Sequence, residues 1–153
     1  MASHIIFITT VLCLIALSIS VTAIPHIHRV PIDNECLKCI CEGVGFCNPK
    51  MACQGKVCGM FGLTREYWID AGRPITSGTK TGDKDAYEKC AQNPYCAKQS
   101  VINYMKKFYE DCNGDGIVDC YDYGAIHMLG GYRCKGRLTE DFKERFLACY
   151  SKS

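Results

Sequence analysis

Oxygen-bearing side chains recur at regular spacing between residues 111 and 122, a pattern that could bind a metal ion. The segment reads DCNGDGIVDCYD and fits the calcium-loop motif at its ligand positions and at its glycine. Five side chains and one backbone carbonyl would supply the ligands: Asp111, Asn113, Asp115, Asp119, Asp122 and, through its carbonyl, Ile117. The motif predicts a Ca²⁺ site, and the alternative is a polar turn between two helices that disulfides at Cys112 and Cys120 hold in place.

Cysteine is the second residue type that could do chemistry. The chain has 13 cysteines; one, Cys13, lies in an apolar N-terminal run. The CxxCxC spacing at Cys36 could suggest zinc, but zinc ligands usually come as two CxxC pairs or as one pair with two histidines. An even number in an oxidising compartment favours disulfides. We predict that all of the remaining cysteines form bridges: Cys36, Cys39, Cys41, Cys47, Cys53, Cys58, Cys90, Cys96, Cys112, Cys120, Cys134 and Cys149.

The N-terminal segment predicts the compartment. Residues 1–23 hold a short apolar run followed by small residues that end in Ala23, which is typical of a secretory signal peptide. Residues 24–34 then read as an extended arm and residues 35–150 as one domain. We therefore expect a secreted, extracellular protein without a membrane span. The net charge of +2 excludes a strongly basic nucleic-acid binder.

Secondary-structure signals divide the domain into two parts. Residues 36–58 combine six cysteines with three glycines and a proline, which favours short loops and turns. Helical patterns follow: a short one from Asp85, one that begins with Asn93-Pro94 and runs to about Glu110, one at residues 121–128, and a last one capped by Thr139. The predicted fold class is a small disulfide-rich α+β domain, with a cystine-rich loop and β part before the helices.

Several segments together resemble the invertebrate-type lysozymes, the family that includes the leech destabilases. They are CLKCIC from Cys36, CGMF from Cys58, YWID from Tyr67, CAQNPYC from Cys90, and the IH and GG pairs that precede Cys134. The resemblance covers residues 35 to 150 and is greatest to the insect branch. It implies a lysozyme-like fold that cleaves the β-1,4 bond of bacterial peptidoglycan in defence or digestion, without a required cofactor.

The resemblance also implies two catalytic carboxylates, which this sequence does not match. The family's Glu is the third residue after the cysteine that corresponds to Cys41, where this chain has Val44; counted back from Cys47 the position is Gly43. Glu42 is the one carboxylate nearby and becomes the candidate acid, with a solvated loop carboxylate as the alternative. The family's Asp lies between the next two cysteines, where this chain has Gln-Gly-Lys-Val. We therefore expect weak or absent hydrolysis.

Other candidates concern the isopeptidase activity and the sugar contacts. His127 matches the histidine of the destabilase isopeptidase proposal, but the serine partner is missing, and a packed, hydrogen-bonded helix residue is the alternative. Tyr67, Trp68 and Tyr132 could stack on sugar rings, although such aromatic residues also form cores.

The resemblance and the cysteine spacing also lead to expectations about the disulfide pairs and about the role of the protein. Positions Ala71 and Ser100 hold cysteines in many family members, and their joint absence is what loss of one disulfide would look like. Local pairs Cys41–Cys47, Cys53–Cys58 and Cys90–Cys96 are expected, while the other six cysteines cannot be paired from the sequence. Two rival roles stay open beside a muramidase: a protein that binds peptidoglycan or chitin-like sugar without cutting it, and a calcium-stabilised structural domain.

Overall fold

The computed structural model describes residues 32–45 and 47–151. The predicted signal peptide, and residues 24–31 of the predicted arm, lie outside the described residues. Within them the chain forms six helices and one two-stranded sheet: α1 Asn34–Gly45, β1 Val57–Cys58, β2 Leu63–Thr64, α2 Arg65–Asp70, α3 Ala86–Gln92, α4 Pro94–Lys107, α5 Cys120–Leu129 and α6 Glu140–Tyr150. This confirms the predicted disulfide-rich α+β class. None of these helices combines the length and the apolar character that crossing a bilayer requires.

Helix α1 corrects the prediction that the first cysteine cluster is all loops and turns. Asp33 accepts a hydrogen bond from the Cys36 backbone N–H at 2.7 Å and so satisfies one of the free donors at the helix start. Cys36, Leu37, Ile40 and Gly43 are buried, at the spacing of one helical face. The helix forms because that face packs in the core, which outweighs the low helix propensity of its glycines and cysteines.

The core lies where α1 packs against α6. The Cys39–Cys149 bridge joins the two helices covalently, and Phe142 and Phe146 of α6 are completely buried. Gly43 lets them approach, because a Cβ atom there would lie 2.6 Å from the Phe142 ring. The long Cys36–Cys120 bridge attaches α1 to α5 as well.

The expected local disulfides are confirmed. Cys41–Cys47, Cys53–Cys58 and Cys90–Cys96 each close a short loop. The pairs that the sequence left open are Cys36–Cys120, Cys39–Cys149 and Cys112–Cys134. All twelve cysteines predicted to form bridges are therefore oxidised.

The small sheet is a hairpin that stands beside α1. Val57 pairs with Thr64, and Cys58 pairs with Leu63, in antiparallel register. Gly59 begins the turn with a φ of 73°, and a Cβ atom there would lie 1.7 Å from the Ala91 carbonyl oxygen. Only glycine fits between hairpin and α3, so this residue fixes where the hairpin sits.

Caps define the helices of the second half largely as predicted. Asn93 accepts from the backbone N–H groups of Tyr95 and Cys96, with Pro94 at the first helical position. Helix α4 ends at Lys107, three residues before the predicted end, and Tyr109 is exposed rather than part of the buried face. Helix α5 ends at Gly130, as expected.

Candidate functional site

Glu42 lies in the last turn of α1 and is half-buried, so it is a helix residue rather than the loop carboxylate of the alternative reading. The neighbouring Gly43 carbonyl accepts from the Arg145 guanidinium, through Nε at 3.0 Å and Nη2 at 2.7 Å. A cation at this point complements the negative end of the helix dipole and satisfies a carbonyl that has no partner within the helix. The backbone around Glu42 is therefore held in place by α6.

The two positions at which the resemblance implies the family's acid are apolar: Gly43 is buried and Val44 is half-buried. Gly43 faces the Phe142 and Phe146 rings at distances that leave no room for a side chain. Val44 faces the hairpin turn, where its Cγ1 atom would lie 3.0 Å from a Cβ atom on Gly62. Val44 thus turns an apolar side chain toward the hairpin and offers no carboxylate.

The segment of the family's Asp is a tight turn without any acid. Gln54 and Val57 exchange backbone hydrogen bonds of 2.8 and 3.2 Å, and the Cys53–Cys58 bridge closes the turn. Gln54, Gly55 and Lys56 are exposed. No carboxylate from this turn can reach toward α1.

His127 is buried between the hairpin and α2. Its Nε2 atom lies 2.8 Å from the Phe61 carbonyl oxygen, which can only accept, so Nε2 carries the proton. Its Nδ1 atom, 3.1 Å from the Tyr67 hydroxyl, then accepts. Burial lowers the pKa of His127 to about 4, although the bond to Phe61 acts in the opposite direction. The ring is neutral and both nitrogens are occupied, which matches the packed alternative and leaves it without a free nitrogen for proton transfer.

The aromatic candidates separate into two buried rings and one exposed ring. Tyr67 stacks on Tyr104 with ring centroids 3.7 Å apart, and burial raises its pKa well above the ordinary value. Trp68 is 2% exposed and donates from its indole nitrogen to the Pro74 carbonyl at 2.7 Å. Both rings are buried, which matches the core alternative, and sugar stacking by them stays a prediction. Tyr132 is 84% exposed and stays a candidate.

The first half of the acidic loop uses its carboxylates to hold its own backbone. Asp111 accepts from the N–H groups of Gly114 and Gly116 at 2.7 and 2.9 Å, and these bonds lower the pKa of its carboxyl. Asp115 accepts from the Ile117 N–H at 2.9 Å, and Asn113 donates to Asp115 at 2.8 Å. These are the contacts of a polar turn, the alternative to a calcium site.

The second half of the loop is built into the start of α5. Asp119 and Asp122 form a capping box, in which Asp119 accepts from the Tyr121 N–H and Asp122 accepts from the Asp119 N–H. Asp122 is completely buried and also accepts from the Cys112 N–H at 2.8 Å. The carboxylate at position 12 of the motif is therefore already bound by backbone N–H groups. Calcium binding by this loop stays a prediction.

Within the described ranges, one further group of side chains has the spacing of metal ligands. Glu35, Cys39 and Cys149 place potential ligand atoms within 4.8 Å of one another. The two cysteines are bonded to each other and have no thiolate to offer, so the group reflects the bridge between α1 and α6.

The sequence interpretation missed a cleft on the other side of the hairpin. It has a volume of about 420 Å³ and is lined by Lys56, Arg65, Glu66, Tyr87 and Glu88, beside the Cys53–Cys58 bridge. These residues come from the hairpin, α2 and α3, and no spacing in the sequence shows that they meet. The bridge between Cys53 and Cys58 is the one signal that could have pointed to this side of the hairpin.

Comparison with known proteins identifies the family. Residues 33–149 match the Destabilase family model. A Meretrix lusoria protein named Lysozyme is 36% identical over 74% of this chain and 87% of its own length, and Invertebrate-type lysozyme 3 of Caenorhabditis elegans is 30% identical over 75% and 84%. Lysozyme 1 of Crassostrea virginica is 31% identical over 76% of this chain, which spans 59% of that relative. On these matches, the chain belongs to the destabilase family of invertebrate-type lysozymes.

Proposed function

We propose that this protein is secreted, binds bacterial peptidoglycan through its lysozyme-like domain, and hydrolyses the β-1,4 bond weakly or not at all. One observation carries the proposal. Neither position that could correspond to the family's acid holds a carboxylate: Gly43 packs against two phenylalanine rings, and Val44 is a half-buried apolar residue. The names of the relatives support peptidoglycan as the ligand class, and the six disulfides support an extracellular location.

The chemistry of glycoside hydrolysis explains why two missing carboxylates matter. One carboxyl group protonates the leaving oxygen, and a second attacks the sugar or activates water on the opposite face. Glu42 could supply only the first function. The Cys53–Cys58 turn offers no acid for the second, so water would have to attack without a base. General acid–base catalysis typically contributes about 10²–10⁴-fold, which sets the scale of the expected loss.

The experiment measures binding and cleavage on the same sample. The refolded protein with six bridges is mixed with two kinds of purified cell wall, one with diaminopimelate and one with lysine in its stem peptide, and both the bound fraction and the released reducing sugar are measured. We expect binding with little or no release. Failure to bind walls would overturn the proposal, and so would release at the rate of an active invertebrate-type lysozyme assayed in parallel.

Glu42→Gln tests whether the remaining carboxylate acts as an acid. If a slow release is present, its loss in this variant assigns Glu42 as the proton donor, whereas unchanged release excludes that role. Glu35→Gln is the matched control, because Glu35 lies on the same helix, is exposed and is paired only with Lys38. Insoluble chitin in place of walls distinguishes binding of the shared glycan from binding that needs the peptide of peptidoglycan.

A further inference from the structure

The cleft beside the hairpin contains an unusual set of charges. Two cations, Lys56 and Arg65, and two anions, Glu66 and Glu88, line its volume of about 420 Å³. Within the part of the chain that the structure describes, none of these four side chains forms an ion pair, although other exposed charges pair at 2.6 to 3.3 Å. Opposite charges that share a cleft without pairing with each other are available to a ligand.

Glu88 adds a second observation. Its Oε2 atom is the one buried side-chain oxygen or nitrogen without a hydrogen-bond partner in the described ranges. A buried polar atom without a partner is unfavourable by about 1–3 kcal/mol. Because Oε2 makes no bond where it lies, turning the carboxylate toward the cleft breaks none. A ligand with N–H donors would therefore gain an acceptor at little cost to the protein.

The floor of the cleft is rigid. Tyr87 is buried, and its single hydroxyl proton is shared between the carbonyl oxygens of Leu63 and Lys56, so it ties α3 to the hairpin and to the turn before it. Desolvation, followed by the charges of Glu88 and Glu66, raises the pKa of Tyr87 to about 12. Tyr87 therefore lies near both carboxylates, and the bridged Cys53 and Cys58 also line the cleft.

From these charges we propose that the cleft binds a zwitterionic amino-acid end group, with its ammonium on Glu66 and Glu88 and its carboxylate on Arg65 and Lys56. A guanidinium suits a carboxylate because it can bind both oxygens at once. In bacterial walls, stem peptides that contain diaminopimelate carry such a group, with an ammonium and a carboxylate on one carbon. Stem peptides that contain lysine carry the ammonium alone. This inference rests on the proposed wall binding and makes it selective for one class of wall.

Soluble stem tetrapeptides test the cleft without any cell wall. Three probes differ only at the distal group: diaminopimelate, diaminopimelate with that carboxylate amidated, and lysine. Isothermal titration calorimetry on the intact protein should show binding of the first about tenfold tighter than the other two, because a site built for a polar group rejects an analogue that lacks it. Equal affinity for all three, or no binding of any, would overturn the zwitterion site.

Variants assign the two halves of the site. Arg65→Gln should reduce the affinity for the diaminopimelate probe to that for the lysine probe, and Glu88→Gln should weaken both probes by about tenfold. Arg133→Gln and Glu144→Gln are matched controls, because both side chains are exposed and lie outside the cleft. Unchanged selectivity in folded Arg65→Gln would overturn the assignment, and near-ultraviolet circular dichroism verifies the fold of each variant.

The peptide and wall measurements together distinguish failure of this site from failure of the proposed function. If walls are bound but all three peptides are not, the proposed function holds and this site is wrong. If neither walls nor peptides are bound, both are wrong. Tight binding of the diaminopimelate peptide without binding to walls would keep the site and overturn the proposed function.

Discussion

The contact between α1 and α6 differs in kind from the contact between α1 and the hairpin. On the α6 side, Gly43 lies against Phe142 and Phe146, Arg145 binds the end of the helix, and a disulfide joins the two elements. On the hairpin side, Val44 meets Gly62 at a partly exposed boundary. One side is closed and covalent, whereas the other is shallow and open to solvent.

This difference separates the part that holds the fold from the part that could change its chemistry. A packed, bridged core tolerates little substitution, because each change leaves a cavity or a clash. The hairpin side is partly exposed at Val44, so we expect substitution there to destabilise the fold less. The following predictions compare the two sides, from the largest expected effect to the smallest.

Removal of one disulfide from each side should give the largest contrast. The Cys39–Cys149 bridge joins cysteines 110 residues apart, but the Cys36–Cys120 bridge shortens the loop that it closes to about 30 residues, whereas the Cys53–Cys58 bridge closes a loop of 5. Loop-closure entropy predicts losses in unfolding free energy of about 4 kcal/mol for Cys39→Ala with Cys149→Ala and about 2 kcal/mol for Cys53→Ala with Cys58→Ala. Urea denaturation measures both. Equal losses would mean that the hairpin bridge holds the fold as much as the core bridge does.

Acidification should destabilise the fold through His127, which is buried and links α5 to the hairpin and α2. The folded pKa of His127 is about 4, below the ordinary 6.5, so the folded state binds fewer protons than the unfolded state between these values. The contribution of His127 to the unfolding free energy is therefore complete above pH 6.5. It is lost as the pH decreases to about 4, and the total loss is about 3 kcal/mol.

His127→Gln isolates this contribution. The difference in unfolding free energy between the parent and the variant should increase with pH between 4 and 6.5, and the slope should approach about 1.4 kcal/mol per pH unit. Denaturation in urea at a series of pH values gives the difference directly. A difference that does not change with pH would mean that the folded protein takes up the proton as easily as the unfolded chain.

Alanine at two neighbouring positions should give the smallest contrast. Gly43→Ala places a methyl group 2.6 Å from the Phe142 ring and should destabilise the fold by about 1–3 kcal/mol. Val44→Ala removes two methyl groups from a partly exposed site and should cost about 1 kcal/mol or less. Thermal denaturation measures both variants. If Val44→Ala costs more than Gly43→Ala, the hairpin boundary is more tightly packed than its exposure indicates.

The sequence predicts the helices of the second half because their signals are local. Asn93 and Pro94 begin α4, and Gly130 ends α5, through caps that involve only neighbouring residues. Helix α1 was missed because its stability comes from α6, more than a hundred residues away in the sequence. The spacing of Cys36, Leu37, Ile40 and Gly43 would have indicated it, had the glycine been taken as a buried position.

The candidate site was predictable only in part. The absence of acids at Gly43 and Val44 follows from counting residues between cysteines, and the structure adds what those positions contact. Burial of Tyr67 and Trp68 depends on partners such as Tyr104, which no local pattern reveals. The charges of the cleft come from three elements that only the folded chain brings together.

The Cys39–Cys149 bridge also keeps the chain covalently joined after a protease cuts it. Every peptide bond between these cysteines lies inside the loop that the bridge closes, and this includes the exposed segment around Gly72 and Gly78. A single cut there produces two chains that remain one covalent molecule, with the core contacts on both sides of the cut still in place. One cut in this segment would therefore release no fragment of the folded core.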